Sequence, residues 1–322
     1  MMIHEDEVPY FSIGIPAWKT AFLIETIESV IGQTFTNFEL VIVNDASPFP
    51  VEEIVASFPE PRIRYFCNAT NSGPRNMVDN WNRCLEYARG QYFMLLGDDD
   101  MLEPDCLAEF AALIRRYPDV YVYHCRSKII NELSEVTGYT DSRPEFETVY
   151  DAVWHRLKGL RMNFVSDFVY RREALVLHEG YYKLPMGWAS DDITSFRLMT
   201  PRGMAHTQKP VFCYRQNQAS MSTSGSVLLK LEAIQGERQW VEQFLSVAPF
   251  ASGEQVLHAN ITALLPGYIK RKQIGTMALF ARTVDLLRST AFLRLGVSRK
   301  DIAMAMLLKI KYSLTKLVMK RR

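Results

Sequence analysis

Gln91-Tyr92-Phe93-Met94-Leu95-Leu96-Gly97-Asp98-Asp99-Asp100 is the stretch on which the reading of the whole chain turns. A short apolar run after Gly90, closed by a polar break, reads as a buried strand. Burial on both faces is expected of a central parallel strand. Open α/β sheets bind ligands at the carboxyl ends of their strands, which is where the three carboxylates fall. Adjacent carboxylates repel, so the cluster costs free energy unless a cation or a donor-rich ligand offsets it. Hard oxygen ligands suit Mg²⁺ or Mn²⁺, which in turn hold phosphate oxygens. The alternative is a solvated acidic turn capping a helix that begins near Pro104, because Asp is a favoured cap. The strand leading into the cluster favours the metal–phosphate site.

Upstream, Tyr10 to Pro16 reads as a strand, Ala21 to Ile31 as a helix and Phe38 to Val43 as a second strand ending at Asn44-Asp45. That rhythm implies a right-handed βαβ unit in a parallel sheet. A short helix over Val51–Phe58, a strand over Ile63–Phe66, a loop at Asn71–Pro74 and a helix over Met77–Ala88 lead back to the opening stretch. Downstream, the pattern predicts a helix over Leu107–Tyr117 and a strand over Val120–Cys125. Between Ile130 and Tyr150 the periodicity weakens, and Gly138 and Pro144 predict a mobile binding loop. A helix over Tyr150–Leu160, a strand over Val165–Arg171, a short helix over Arg172–Leu177 and a strand over Val211–Arg215 follow. A second acidic pair, Asp191-Asp192, opens a helix. After Gly225 the chain reads as helical to its end.

The length of 322 residues accommodates one large domain with an appendage, or two domains. A net charge of +1 predicts no nucleic-acid partner. From Lys270 onward, however, Asp285 and Asp301 are the only acids among many Lys and Arg, which points to a surface partner for that part. In its last helix Lys309, Lys316 and Lys320 share one face and Leu307, Leu314 and Val318 the other. Such a basic amphipathic helix predicts contact with an anionic membrane surface. Met1 to Pro9 has no apolar core and no run of about 18 apolar residues occurs, so neither a secretory signal nor a spanning helix is expected. Five cysteines without CxxC spacing read as reduced thiols. The expected location is cytoplasmic, peripheral on the inner face of the cytoplasmic membrane.

The acids at Asp45, at Asp98 to Asp100 and at Asp191-Asp192 permit a division of labour among nucleotide, metal and general base. Asp45 and Asp191 also admit a simpler reading as helix caps. Neither GxGxxG nor GxxxxGK[ST] occurs, which argues against a dinucleotide dehydrogenase and a P-loop NTPase.

Taken in order, these segments resemble the family-2 glycosyltransferases. The match runs through Ile15-Pro16, Trp18, Gln33-Thr34-Phe35, Phe38 to Val43 and Asn44-Asp45-Ala46-Ser47. It continues through Asn71-Ser72-Gly73, Leu96 to Leu102, Arg171 to Arg197, Tyr214-Arg215 and Ser220-Met221-Ser222. The resemblance covers about Val8 to Ser222. It implies a GT-A-type, Rossmann-like, mostly parallel central sheet flanked by helices, with a catalytic domain over 1–222; the helical, basic region over 223–322 is read from its own residues and lies outside the resemblance. The resemblance also implies inverting transfer of a sugar from a nucleotide diphosphate donor to a glycan or lipid-linked saccharide, with Mg²⁺ or Mn²⁺. Pro16, Trp18, Asp45, Asn71 and Gly73 would then line the nucleotide. Asp98 and Asp99 would face ribose and diphosphate, Asp98 and Asp100 would bind metal, and Asp191 or Asp192 would be the base. Four positions depart from the family pattern: Gly97 for its first motif Asp, Ala46 for Gly, Ser190 for Glu and Asn217 for His. Two other readings remain open, a non-catalytic nucleotide-sugar-binding subunit and a nucleotidyltransferase. The latter would release pyrophosphate.

Overall fold

The computed structural model describes residues 8–217, 225–249, 251–288 and 290–319. The chain divides into two compact units, Met1–Lys183 with Ser190–Asn217, and Leu184–Ala189 with Gln218–Arg322.

The first unit runs β1 (Phe11–Ala17), α1 (Leu23–Ile31), β2 (Phe38–Asn44), α2 (Val51–Ala56), β3 (Ile63–Cys67), α3 (Met77–Tyr87) and β4 (Tyr92–Leu95). It continues with β5 (Met101–Leu102), α4 (Cys106–Arg116), β6 (Val122–Ile130), β7 (Val136–Tyr139), β8 (Phe146–Glu147) and α5 (Val149–Leu157). It closes with β9 (Phe168–Arg171), α6 (Arg172–Leu177), α7 (Ser190–Met199) and β10 (Met204–Arg215). Among the described residues these strands form one ten-stranded sheet in the order β3-β2-β1-β4-β9-β6-β10-β5, with β7 beside β6 and β8 beside β10. β3, β2, β1, β4, β6 and β10 all point the same way, so the sheet is mostly parallel, as expected.

All seven residues of β2 are buried, because helices cover both faces. On one face Leu23, Ile27 and Val30 of α1 pack with Phe11, Ile13 and Ile15 of β1 and with Phe110 of α4. On the other, α3 lies so close to β1 that a Cβ on Gly14 would come 2.7 Å from Cys84 Cβ. Burying each large aliphatic side chain here is worth about 1.5–3 kcal/mol. The Gln33-Thr34 turn also acquires a structural reason. Gln33 is buried and donates through Nε2 to Glu103 O at 2.8 Å, while its Oε1 accepts from Leu107 N at 3.0 Å. It thereby ties the end of α1 to the segment leaving the acid cluster.

Three stretches differ from the sequence reading. The expected binding loop from Ile130 to Tyr150 contains the hairpin strand β7, paired with Lys128–Ile130, and the short β8. An exposed edge strand lacks the apolar alternation that reveals a half-buried one. The expected strand from Val165 begins instead as a 3₁₀ turn, Val165–Asp167, capped by Phe164 N donating to Asp167 Oδ2 at 3.1 Å. β10 starts at Met204, seven residues early, because bulges around Pro210 let a polar stretch continue the ladder.

The second unit contains α8 (Val227–Phe244), α9 (Ser252–Phe280), α10 (Thr283–Leu287), α11 (Thr290–Arg294) and α12 (Arg299–Met319). Leu231, Ile234, Ile261, Met277, Phe292 and Ala305 are buried in it. Among the described residues no helix is long and apolar enough to cross a membrane.

Candidate active site

The carboxyl ends of β1, β2 and β4 converge on one edge of the sheet, and the acids found there are held differently. Asp98 Oδ2 accepts from the backbone N–H groups of Trp18 (2.8 Å) and Lys19 (2.6 Å), tying the end of β4 to the end of β1. Asp100 accepts from Arg215 N at 3.0 Å and from Ser166 Oγ at 3.2 Å. Arg215 is fully buried. Its Nε donates to Asp99 O at 2.8 Å and its Nη2 to Glu25 Oε2 at 2.8 Å, so it clamps the backbone of the acidic turn. Burial, reinforced by the charge on Asp99, pushes the Asp98 carboxyl up to about 6 and the Asp100 carboxyl well above the usual carboxylate range.

Asp99 is the partly exposed member of the three. Its Oδ2 accepts from Lys19 Nζ at 3.3 Å and from Asn217 Nδ2 at 2.7 Å. Among the described residues no group of three or more His, Cys, Asp or Glu could by itself hold a metal ion. A hard carboxylate that faces outward and is charge-balanced by a half-buried lysine does fit a cation whose remaining ligands are water and substrate phosphate.

Asp45 follows β2 but does not cap α2, whose N-cap is Pro50. Its buried carboxylate accepts from Asn68 Nδ2 (2.7 Å), Asn71 Nδ2 (2.9 Å), Ser72 Oγ (2.9 Å) and Ser72 N (3.1 Å). Asn71 Oδ1 in turn accepts from Gly73 N at 2.8 Å, and Gly73 has the left-handed φ of 68° that glycine tolerates. Asp45, Asn71 and Gly73 therefore form one rigid loop. Pro16 lies within β1 and Trp18 directly after it, with 36% of the residue's surface exposed.

Asp191 and Asp192 occupy the first turn of α7. Asp192 is buried and locked, accepting from Arg156 Nε at 2.8 Å and Asn163 Nδ2 at 2.7 Å. Asp191 points elsewhere, since consecutive helical residues diverge by about 100°. Burial, with the neighbouring charge of Asp192, pushes its carboxyl up to about 7, and Arg156 only partly opposes this. A carboxylate poised near neutrality suits a general base. One loop touches both clusters: Asn163 holds Asp192, and Ser166 holds Asp100 while its Oγ accepts from Gly97 N at 3.0 Å.

A family model described as Glycosyl transferase family 2 matches residues 12–177, just over half of the chain and both of its opening strand-end acid sites. The chain belongs to glycosyl transferase family 2. Its match to the putative colanic acid biosynthesis glycosyl transferase WcaA of Escherichia coli is 35% identical over 107 residues, 32% of this chain and 37% of that protein. The structure of Staphylococcus aureus TarS residues 1–349 in complex with UDP-GlcNAc aligns with a TM-score of 0.57 at 17% identity, over 95% of this chain and 92% of that one. The mannosyltransferase PcManGT of Pyrobaculum calidifontis, in complex with GDP-Man and Mn²⁺, aligns with a TM-score of 0.58 at 15% identity, over 95% and 87%. These likenesses show the GT-A-type fold. Three curated relatives are matched over only 26%, 37% and 63% of their own lengths.

Two departures from the family-2 pattern gain a physical meaning. Ala46 holds φ 50°, a left-handed conformation that explains why glycine is usual there. Asn217, in place of the usual His, is spent on Asp99. The family-2 segment Ser220-Met221-Ser222 lies outside the described residues. Sequence reasoning missed Lys19, Ser166, Arg156 and Asn163. Lys19 could have been found as a cation directly beside a strand-end motif, but Asn163 falls between the expected elements and Ser166 in a segment read as a strand, where nothing marks either side chain.

Proposed function

We propose that this chain is an inverting glycosyltransferase that moves a hexose from a nucleotide diphosphate donor to a hydroxyl of a growing polysaccharide. The observation that carries this reading is the Asn163–Asp167 loop, which fixes an outward-facing acidic turn and a separately poised carboxylate in one unit. The acceptor hydroxyl gives its proton to Asp191 as its oxygen attacks the anomeric carbon. The bond from that carbon to the diphosphate oxygen breaks, and the nucleoside diphosphate leaves with the electron pair. A single displacement of this kind inverts the anomeric centre. Asp192, held by Arg156 and Asn163, keeps the first turn of α7 in place and repels the Asp191 charge.

For Mg²⁺ or Mn²⁺ the residue that would hold the cation is Asp99, and Lys19 and Asn217 beside it would donate to phosphate oxygens. The bound cation would supply charge stabilisation to the departing diphosphate. Asp98 and Asp100 act through the protein, holding β1 and β10 around the turn. Asp45 serves the nucleotide by bracing the Asn68–Gly73 loop. The UDP-GlcNAc and GDP-Man complexes of the two structural neighbours, both hexose donors, support the substrate class. The colanic acid relative supports a polysaccharide acceptor.

An anionic membrane surface is the proposed location of the acceptor. On α12 Met304, Leu307 and Ile310 are exposed at helical spacing, with exposed Lys300 and Lys311 beside them. Lys309 instead turns inward and donates to Ala278 O at 3.3 Å, so the apolar face, rather than the expected lysine face, is outward there. Side chains of Leu314, Lys316, Val318 and Lys320 lie outside those described.

The test is a panel of nucleotide sugars with Mn²⁺, read by the phosphate product. Nucleoside diphosphate release on adding a glycan acceptor supports transfer. Pyrophosphate release would make the protein a nucleotidyltransferase, and tight donor binding without any turnover would make it a binding subunit.

A further inference from the structure

Behind the Asn163–Asp167 loop, and wholly inside the sheet unit, lies a buried row of ionisable side chains that the proposed reaction does not use. His124 of β6 and His206 of β10 are register partners on neighbouring parallel strands, so their rings share one face of the sheet. Their Nδ1 atoms stand 3.2 Å apart. His124 Nε2 lies 3.3 Å from Asp167 Oδ2, and His206 Nε2 lies 3.1 Å from Glu147 Oε2 of β8. None of the four residues is more than 2% exposed.

Both ends of the loop are tied to this row. Asp167 Oδ2 accepts from Phe164 N at 3.1 Å and from Ser127 Oγ of β6 at 3.3 Å. Just before Asn163, Arg161 Nε donates to Glu147 Oε1 at 3.1 Å. Arg143, also buried, donates through Nη2 to Asn163 Oδ1 at 2.6 Å and to Met162 O at 2.8 Å.

Stability does not account for the row. Attraction between buried ionisable groups repays their lost hydration only with good geometry, and apolar side chains of similar volume often serve a fold as well. Here both Nε2 atoms and Glu147 Oε2 make no aligned hydrogen bond among the described residues. Burial accordingly pushes both imidazoles below their ordinary range and the Asp167 carboxyl well above its own. At Glu147 burial is outweighed by His206 and Arg161, which hold the carboxyl down to about 2. What a buried polar network does supply is one defined arrangement of the backbone it touches.

We propose that Asp167, His124 and His206 are positioning residues for the transfer: their row sets the Asn163–Asp167 loop, and through it the reach of Asn163 to Asp192 and of Ser166 to Asp100. The inference rests on Asp191 being the base, because Asp192 shares its helical turn. A displacement of about 1 Å in a reacting group can cost about 10²-fold in rate, so a row that touches no substrate can still govern turnover.

The test uses the full chain and the variants Asp167→Leu, Asp167→Asn, His206→Leu, Asn163→Ala, Arg143→Met and Asp191→Asn. Each is checked for folding by thermal unfolding, then for donor affinity and for acceptor-dependent kcat. Asp167→Leu and His206→Leu should lower kcat by about 10–10²-fold. Donor affinity should hold, since Arg215 keeps its own grip on Asp100 and on the backbone of Asp99. A side chain that only supported the fold would leave the kcat of the folded variant unchanged. Asp167→Asn keeps the oxygen that accepts from Phe164 N and matches a neutral carboxyl, so it should restore kcat. In the Asn163→Ala background Asp167→Leu should cost little more, because the two act through one loop. Should either leucine variant fail to fold, Arg143→Met, which releases Asn163 Oδ1 and leaves the row intact, must show the same loss of kcat with donor affinity kept. If Asp191→Asn stops turnover while the folded Asp167, His206 and Arg143 variants keep wild-type kcat, the positioning role is overturned and the base stands. Normal turnover in Asp191→Asn would overturn both.

Discussion

Replacing Asp191 by Asn should move activity and stability in opposite directions. Burial and Asp192 raise the Asp191 carboxyl from an ordinary value of 3.8 to about 7 in the fold. A folded-state value above the unfolded one means that ionisation opposes folding. The contribution of this group to stability is therefore fully present below pH 4 and is lost as pH rises through about 7. Three units correspond to about 4 kcal/mol, which partial solvent access trims to about 2–4 kcal/mol. Asn cannot ionise, so at pH 8 the variant should be more stable by about that amount, and at pH 4 nearly unchanged. Turnover should fall by about 10²–10⁴-fold with donor affinity intact. Wild-type turnover itself should drop about tenfold per unit below pH 7, because the base must be ionised. Asp192→Asn should behave differently. It removes the charge that Arg156 Nε and Asn163 Nδ2 donate to and should lower stability by about 1–3 kcal/mol. Thermal unfolding at pH 4 and pH 8, paired with acceptor-dependent nucleoside diphosphate release, reads both effects. An Asp191→Asn variant that is less stable than wild type at pH 8, or that turns over within about threefold of it, would refute the assignment of the base.

The other expectations are more local. Asp99→Asn should abolish the Mn²⁺ dependence of donor affinity in calorimetry while leaving unfolding unchanged. Asp100→Ala should instead cost about 1–3 kcal/mol of stability, because the buried Arg215 N–H loses its acceptor. Ala46→Gly should stabilise the protein by about 0.5–1 kcal/mol in denaturant unfolding by relieving the left-handed Cβ. Leu307→Asp together with Ile310→Asp should weaken flotation with anionic vesicles at least tenfold without changing donor affinity, and equal flotation would remove the membrane surface from the proposal.

The sequence alone determined that the heart of the sheet is parallel. β1, β2 and β4 are apolar runs of strand length separated by amphipathic helices, a pattern whose period and right-handed connections admit few arrangements. It also marked the strand-end acids, because carboxylates at the ends of buried strands must fall on one edge. What it could not decide was which oxygen each acid spends on the protein. Asp98, Asp99 and Asp100 are alike as letters, yet Asp98 faces the amides of Trp18 and Lys19, Asp100 faces Arg215 and Ser166, and Asp99 is the one left outward. Those partners lie 66 to 115 positions away, so only the folded chain brings them together. The same holds for Asp191 and Asp192. Adjacent in the chain, they are separated in chemistry by Arg156 and Asn163, which reach one carboxylate and not its neighbour because a helix turns about 100° between them.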